Sequence, residues 1–147
     1  MLTSDFITWL SEGDIGVAMP VIYQGPSGPP AEPRPHLIVT PVPGGGMQVD
    51  GQIEQRVFQI KTVGQQGLNT QNWNTVFSET ETLARSIDKF IMNVWRPVIG
   101  GEQVVYISRF GTHVRQGGPS GQPLDGANRP SYSTMYVVEA ESNIYDT

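Results

Sequence analysis

Two histidines, His36 and His113, and no cysteine stand in this 147-residue chain. The histidines lie far apart, and neither sits at a metal-ligand spacing from acidic residues. Without thiols there is no thiolate zinc site, no iron–sulfur cluster, no cysteine nucleophile and no disulfide framework. A serine nucleophile needs a histidine and an acid beside it. Gly118-Pro119-Ser120-Gly121 has the outline of a nucleophile elbow, but its glycines are misplaced and Pro119 opposes the strand-to-helix turn that such an elbow requires. Glu79 and Glu81 are two apart on a helical pattern, so their carboxylates point about 200° apart and do not pair as acid and base. Gly44-Gly45-Gly46 and Gly117-Gly118 lack the Lys-Ser/Thr and following helix of a phosphate cradle. Trp73 and Trp95 stand at the two ends of an apolar stripe, where core packing or helix-end anchoring outweighs a role as stacking platforms. These residues support no enzyme, cofactor or metal site.

Composition narrows the classes further. The chain carries 17 Gly and 12 Pro, only 16% charged residues, 37% hydrophobic residues and a net charge of -5. Loops and turns are abundant, yet three Trp, five Phe and five Tyr suffice for one modest core. The length fits a single domain, 1–147. Asp5, Glu12 and Asp14 make the first 16 residues acidic, and Glu139, Glu141 and Asp146 do the same for the last 16, with no base in either stretch. The bases between them are scattered rather than clustered, which argues against tight nucleic-acid binding. The first ten residues carry an acid where an export signal would carry Lys or Arg. No stretch approaches the ~18 consecutive apolar residues of a membrane span, so a soluble protein is expected.

The elements that must carry these residues follow from periodicity. Ser4 to Leu10 reads as a short helix, with Ser4 as N-cap and Phe6, Ile7 and Leu10 on one face. Val17 to Tyr23 reads as a strand whose Pro20 confines it to an edge or a break. A Pro-rich loop, 24–35, follows. His36 to Val42 is a strand, Pro43 to Gly46 a loop, and Gln52 to Val63 a longer strand with Phe58 and Ile60 on one face. Asn72 to about Val94 has the 3, 4 spacing of an amphipathic helix roughly 35 Å long. Phe77, Leu83, Ala84, Ile87 and Ile91 are expected to pack against Phe58 and Ile60, and Glu81 with Arg85 forms an i, i+4 pair. Pro97 and Gly100-Gly101 stop the helix. Gln103 to Phe110 is a strand that continues through His113 to Arg115 after a bulge at Gly111. A long loop, 116–130, and a last strand, Tyr132 to Ala140, complete the chain. The expected fold is α+β: a largely antiparallel sheet packed by one long central helix and a short N-terminal helix, with long Gly/Pro-rich loops.

Taken together, the chain resembles the tail terminator, or tail completion, proteins of long-tailed bacteriophages. The resemblance runs through the short helix from Asp5 to Leu10, the glycine-interrupted strand pair between His36 and Val63, and the helix bearing Leu83-Ala84-Arg85-Ser86-Ile87-Asp88. It continues through Gly100-Gly101, the strand Val104 to Ser108, and Asn128-Arg129-Pro130-Ser131-Tyr132 before the last strand. Tail-tube and head–tail connector proteins share much of this pattern and remain alternatives, with a small ligand-binding or hydrolytic α+β domain as the competing class.

The resemblance implies a ring of six subunits that caps the head-proximal end of the tail tube, ends its polymerisation and presents a surface to the head connector. Its partners would be further copies of itself, the tail tube protein and the head connector or head-completion protein, with no cofactor and no membrane. Genome DNA would pass through the lumen without specific binding. The location implied is the virion, in the neck region of the tail, and the host cytoplasm during assembly. Met47, Arg115, Asp125 and Arg129 are the candidate assembly-interface residues. The 116–130 loop is expected to be mobile in the free subunit and ordered in the tail, because its Gly and Pro leave little apolar area to hold it down.

Overall fold

Alternation of apolar and polar side chains builds two long hairpins, and a helix carries the chain from one to the other. The structure is a computed structural model that describes residues 1–26, 33–48, 52–65, 73–116 and 129–141, with the backbone alone for 44–48, 73 and 111–116. The elements are α1 (Thr3–Ser11), β1 (Val21–Gln24), β2 (His36–Gln48), β3 (Ile53–Val63), α2 (Trp73–Asn93), β4 (Val98–Ile99), β5 (Glu102–Gln116) and β6 (Ser131–Glu141). One six-stranded sheet has the order β1-β2-β3-β6-β5-β4. Only β1 and β2 run parallel; the other neighbours are antiparallel. The fold is therefore mixed α+β on a largely antiparallel sheet.

Several boundaries differ from the sequence expectation for local physical reasons. The first helix begins at Thr3, with Leu2 rather than Ser4 at the N-cap position. The carboxylate of Asp5 accepts the Leu2 backbone N–H at 2.8 Å, half of a capping box, so the acid in the first turn sets the start. The first strand begins only after Pro20, which has no N–H to give a ladder. Parallel pairing of β1 with β2 then requires the intervening 25–35 stretch to return the chain to the starting end. Residues Pro43 to Gly46 are not a loop: β2 runs on to Gln48, with a register shift between Val42 and Gly46. Glycines without side chains let the strand resume its ladder past two prolines.

Both helices pack on one face of the sheet. Phe6 and Leu10 of α1 meet Leu37 and Val39 of β2, Phe58 and Ile60 of β3, Ile87 and Ile91 of α2, and Tyr136 and Val138 of β6 in one buried cluster. The rings of Phe6 and Phe58 stack at 4.4 Å and 7°. Leu83 is only partly buried at the margin of this cluster. Phe77 and Ala84, expected against Phe58 and Ile60, instead join Val76 and Tyr132 in a second, smaller cluster. A helix crossing the sheet reaches different strands with its successive turns, so one stripe serves two clusters.

The turn between β4 and β5 shows why glycine is needed there. Gly100 and Gly101 have φ of 60° and 78°, and a Cβ on Gly100 would lie 2.6 Å from the carboxyl carbon of Asp5. The α1 carboxylate is thereby lodged against the β4–β5 turn.

A candidate assembly surface

Registers decide which side chains of β5 face the helices. Val104 lies opposite Ala140, Ile107 opposite Val138 and Arg109 opposite Tyr136, all toward the helices. A register shift between Val104 and Tyr106 leaves Val105 as the extra residue. Beyond it Tyr106, Ser108 and Phe110 fall on the opposite face, across from Glu139, Val137 and Met135. Tyr106 is 61% exposed, Phe110 56% and Met135 38%. Phe110 and Met135 are cross-strand neighbours, and Tyr106 stands on the same face beyond Ser108, so this face carries three exposed large apolar side chains.

The neighbouring turn extends the apolar surface. Helix α2 ends at Asn93, Arg96 takes a left-handed φ of 43°, and Trp95 stands 85% exposed with Val98 60% exposed. Trp95 is thus neither core nor anchor, contrary to expectation: the stripe of α2 stops one turn earlier, and the chain turns away with the indole outward. The turn itself is well tied. Gln103 Nε2 donates to the carbonyl of Arg96 at 2.6 Å and to that of Val104 at 3.1 Å, and the Val104 N–H donates to the carbonyl of Pro97 at 2.9 Å. The backbone on the C-terminal side of the exposed Trp95 is thereby held before any partner is met.

Charged groups beneath this surface hold α2 to the sheet. Arg109 pairs through Nη1 with Asp88 Oδ2, and the Tyr136 hydroxyl donates to Asp88 Oδ1 at 2.7 Å. Burial, then the hydrogen bond to Asp88 and its charge, raise the Tyr136 hydroxyl well above the usual phenol range, against a smaller opposing effect of Arg109. At the other end of the strands the amino group of Met1 lies against Glu102 and 3.5 Å from Glu54. Arg56 donates to the Met1 carbonyl and to Thr3 Oγ1, tying α1 to β3. These ion pairs fasten elements to one another.

The four residues proposed from the sequence are not brought together. Met47 pairs with Glu54 near the β2–β3 hairpin end, whereas Arg115 pairs with Tyr132 at the opposite end of the strands. Asp125, and most of the 116–130 loop with it, lies outside the described residues. Arg129 is 6% exposed, and its guanidinium donates to the carbonyls of Gly64 at 2.8 Å and Arg34 at 2.9 Å. Its charge is therefore engaged inside the subunit, where it fastens the start of β6 to the 34 and 64 stretches. Sequence reading passed over Tyr106, Phe110 and Met135. Val104-Val105-Tyr106-Ile107 reads as an unbroken apolar run, and only the bulge at Val105 shows which members point away from the helices.

Chemistry-bearing groups are sparse elsewhere among the described residues. Among the described residues no three His, Asp or Glu side chains are grouped to hold a metal ion. His36 contacts the carbonyl of Arg34 through Nδ1 at 3.0 Å. An open cleft of about 500 Å³ between the 14–16 turn and the second half of α2 has Asp14, Lys89 and Phe90 in its walls. Its one carboxylate, Asp14, accepts the Gly16 N–H at 2.9 Å and so closes its own turn. Among the described residues no helix is long and apolar enough to cross a membrane. No protein-family model matches the chain, and no curated protein does.

Proposed function

We propose that the chain is a structural protein of a long-tailed bacteriophage, a tail terminator that forms a ring on the head-proximal end of the tail tube and joins it to the head connector. The observation that carries this reading is the outward apolar surface of the turn and strand from Trp95 to Phe110 on a scaffold whose buried charges serve its own packing. A surface of that kind is for contact with protein. The sequence resemblance supplies the class of partner. In this reading α2 is the central spine of the subunit, and the Gly/Pro-rich 24–35 and 116–130 stretches meet the neighbouring subunit, the tube and the connector. The ring is held by heterologous contacts that close at six copies, and its acidic ends keep DNA phosphates from adhering as the genome passes.

Native mass spectrometry with and without tail tubes purified from the parent phage tests this. A species of six chains that appears on tube ends, with no growth of the tube beyond it, is the expected result. Filaments formed by the chain alone would favour the tube-protein alternative. An oligomer that ignores the tube altogether would overturn the reading. Deleting 118–126 is expected to leave the melting transition in place while tails grow to uncontrolled lengths or fail to join heads; normal particles would sink the role given to that loop.

A further inference from the structure

A row of aromatic rings leads out of the core and ends at a cleft. Phe58 stacks on Phe6 at 4.4 Å, Phe6 lies 5.6 Å from Trp9, and Trp9 lies 5.1 Å from Phe90, centroid to centroid. Phe90 is only partly buried, and it stands in the wall of the open cleft of about 500 Å³ beside the 14–16 turn. The ring lies close against Gly13, where a Cβ would come within 2.6 Å of it. Ser86, Lys89 and Phe90 share one face of α2 through their 3, 4 spacing, and Ile15 faces the same space from the turn. Val94 also lines the cleft. The next residue, Trp95, stays outside it with 85% of its surface exposed.

We propose that the free chain forms a two-fold dimer in which Trp95 of each copy enters the cleft of the other and packs on Phe90. The entering indole extends the aromatic row by one ring at its open end. A cleft of this volume lies in the range that holds drug-sized molecules, so an indole fits. Charge favours the same occupant. Neither Lys89 nor Arg96 has an ion-pair partner among the described residues. Lys89, in the cleft wall, meets the face of the entering indole as a cation. Arg96 is carried in beside Trp95 and comes to Asp14, whose Oδ1 accepts the Gly16 N–H and whose Oδ2 is left for a cation.

The closeness of Trp95 to the cleft selects the symmetry. With a two-fold axis between them, each copy gives one indole and receives the other, and no further site is left open. In a ring of six, the separation of an inserted group from its receiving cleft equals the distance of the contact from the ring axis, so neighbouring groups would crowd the subunits onto that axis. Each tryptophan buries roughly 150–250 Å², which puts the contact at the low end of specific interfaces, with dissociation at about micromolar concentration or above. This pairing does not depend on the terminator reading. The experiment uses the free chain without tube, so that the two ideas fail separately.

Sedimentation equilibrium from micromolar to millimolar is expected to show a reversible monomer–dimer transition. Trp95→Ala removes the inserted group and should weaken association by about tenfold or more, with an unchanged circular dichroism spectrum because the side chain is exposed. Ser86→Trp fills the cleft from its own wall and should weaken association similarly while Trp95 is still present. Phe110→Lys, on the exposed face of β5, should leave the transition where it is. A chain that stays monomeric at millimolar concentration overturns the proposal. So does association that survives Trp95→Ala, association weakened by Phe110→Lys as much as by Trp95→Ala, or a larger oligomer formed without a dimer.

Discussion

The two margins of the sheet are built differently. At the β1–β2 margin, a four-residue strand follows Pro20, and the strand behind it carries Pro41, Pro43 and a register shift between Val42 and Gly46. At the β4–β5 margin, a two-residue strand covers only the first residues of a fifteen-residue one, and Tyr106 and Phe110 stand exposed beyond it. Proline and bulge remove the donors and the flatness that another strand needs. The first margin is kept short and interrupted by its own sequence. The second depends on what it meets.

The largest effect should come from what both margins share. Phe58→Ala removes the ring stacked on Phe6 in a site that is fully buried, and should cost about 3–5 kcal/mol. Chemical denaturation followed from each margin separately would show both lost in one transition; a transition confined to one side would break the idea of a common platform. Next is Asp88→Ala, which strips the acceptor from the Tyr136 hydroxyl and the partner from Arg109. A cost of about 2–3 kcal/mol is expected. Amide exchange should quicken in β5 and β6 more than in β1 and β2, because only the former are tied to Asp88. Equal acceleration everywhere would show that Asp88 does not distinguish the margins.

The raised Tyr136 hydroxyl gives a pH test of the same link. Between the ordinary phenol range near 10 and the higher folded value, the unfolded chain holds fewer protons than the folded one. Stability is therefore complete below about pH 10 and falls as pH rises above it. Tyr136→Phe should lose about 1 kcal/mol at neutral pH, for one buried hydrogen bond, and should flatten that alkaline decline. An unchanged alkaline slope would place the titrating group elsewhere. The smallest effect should come from the margins themselves. Tyr106→Lys should change monomer stability by no more than about 0.5 kcal/mol. Pro43→Thr, which restores a donor to the guarded strand, should raise self-association slightly; stickiness no greater than that of the unaltered chain would show that the proline is no guard.

Much of this was legible from residues alone where one period dominates. The helix read from Asn72 to Val94 lies at Trp73–Asn93, the strands read at 52–63 and 132–140 lie at 53–63 and 131–141, and Glu81 meets Arg85 at 3.1 Å. Each depends on contacts within a few residues, or on an alternation that local sequence carries. Boundaries set by a single group were less legible: Asp5 moved the start of α1, and β2 resumes its ladder at Gly46, past Pro43, where composition read as loop. The candidate surface was the least legible part. Arg129 looked like a free charge in a loop, and its burial depends on carbonyls at positions 34 and 64 that no local pattern brings near.

By itself, then, the sequence determined the class of fold and the places of the main strands and helices, because these follow from residue type and short-range period. Tertiary structure alone decided strand order, the division of the α2 stripe between two clusters, and the face on which Tyr106 and Phe110 lie. Strand order depends on pairings between residues far apart in the chain. The outward face depends on one bulged residue, Val105, which reverses the side-chain parity of everything after it.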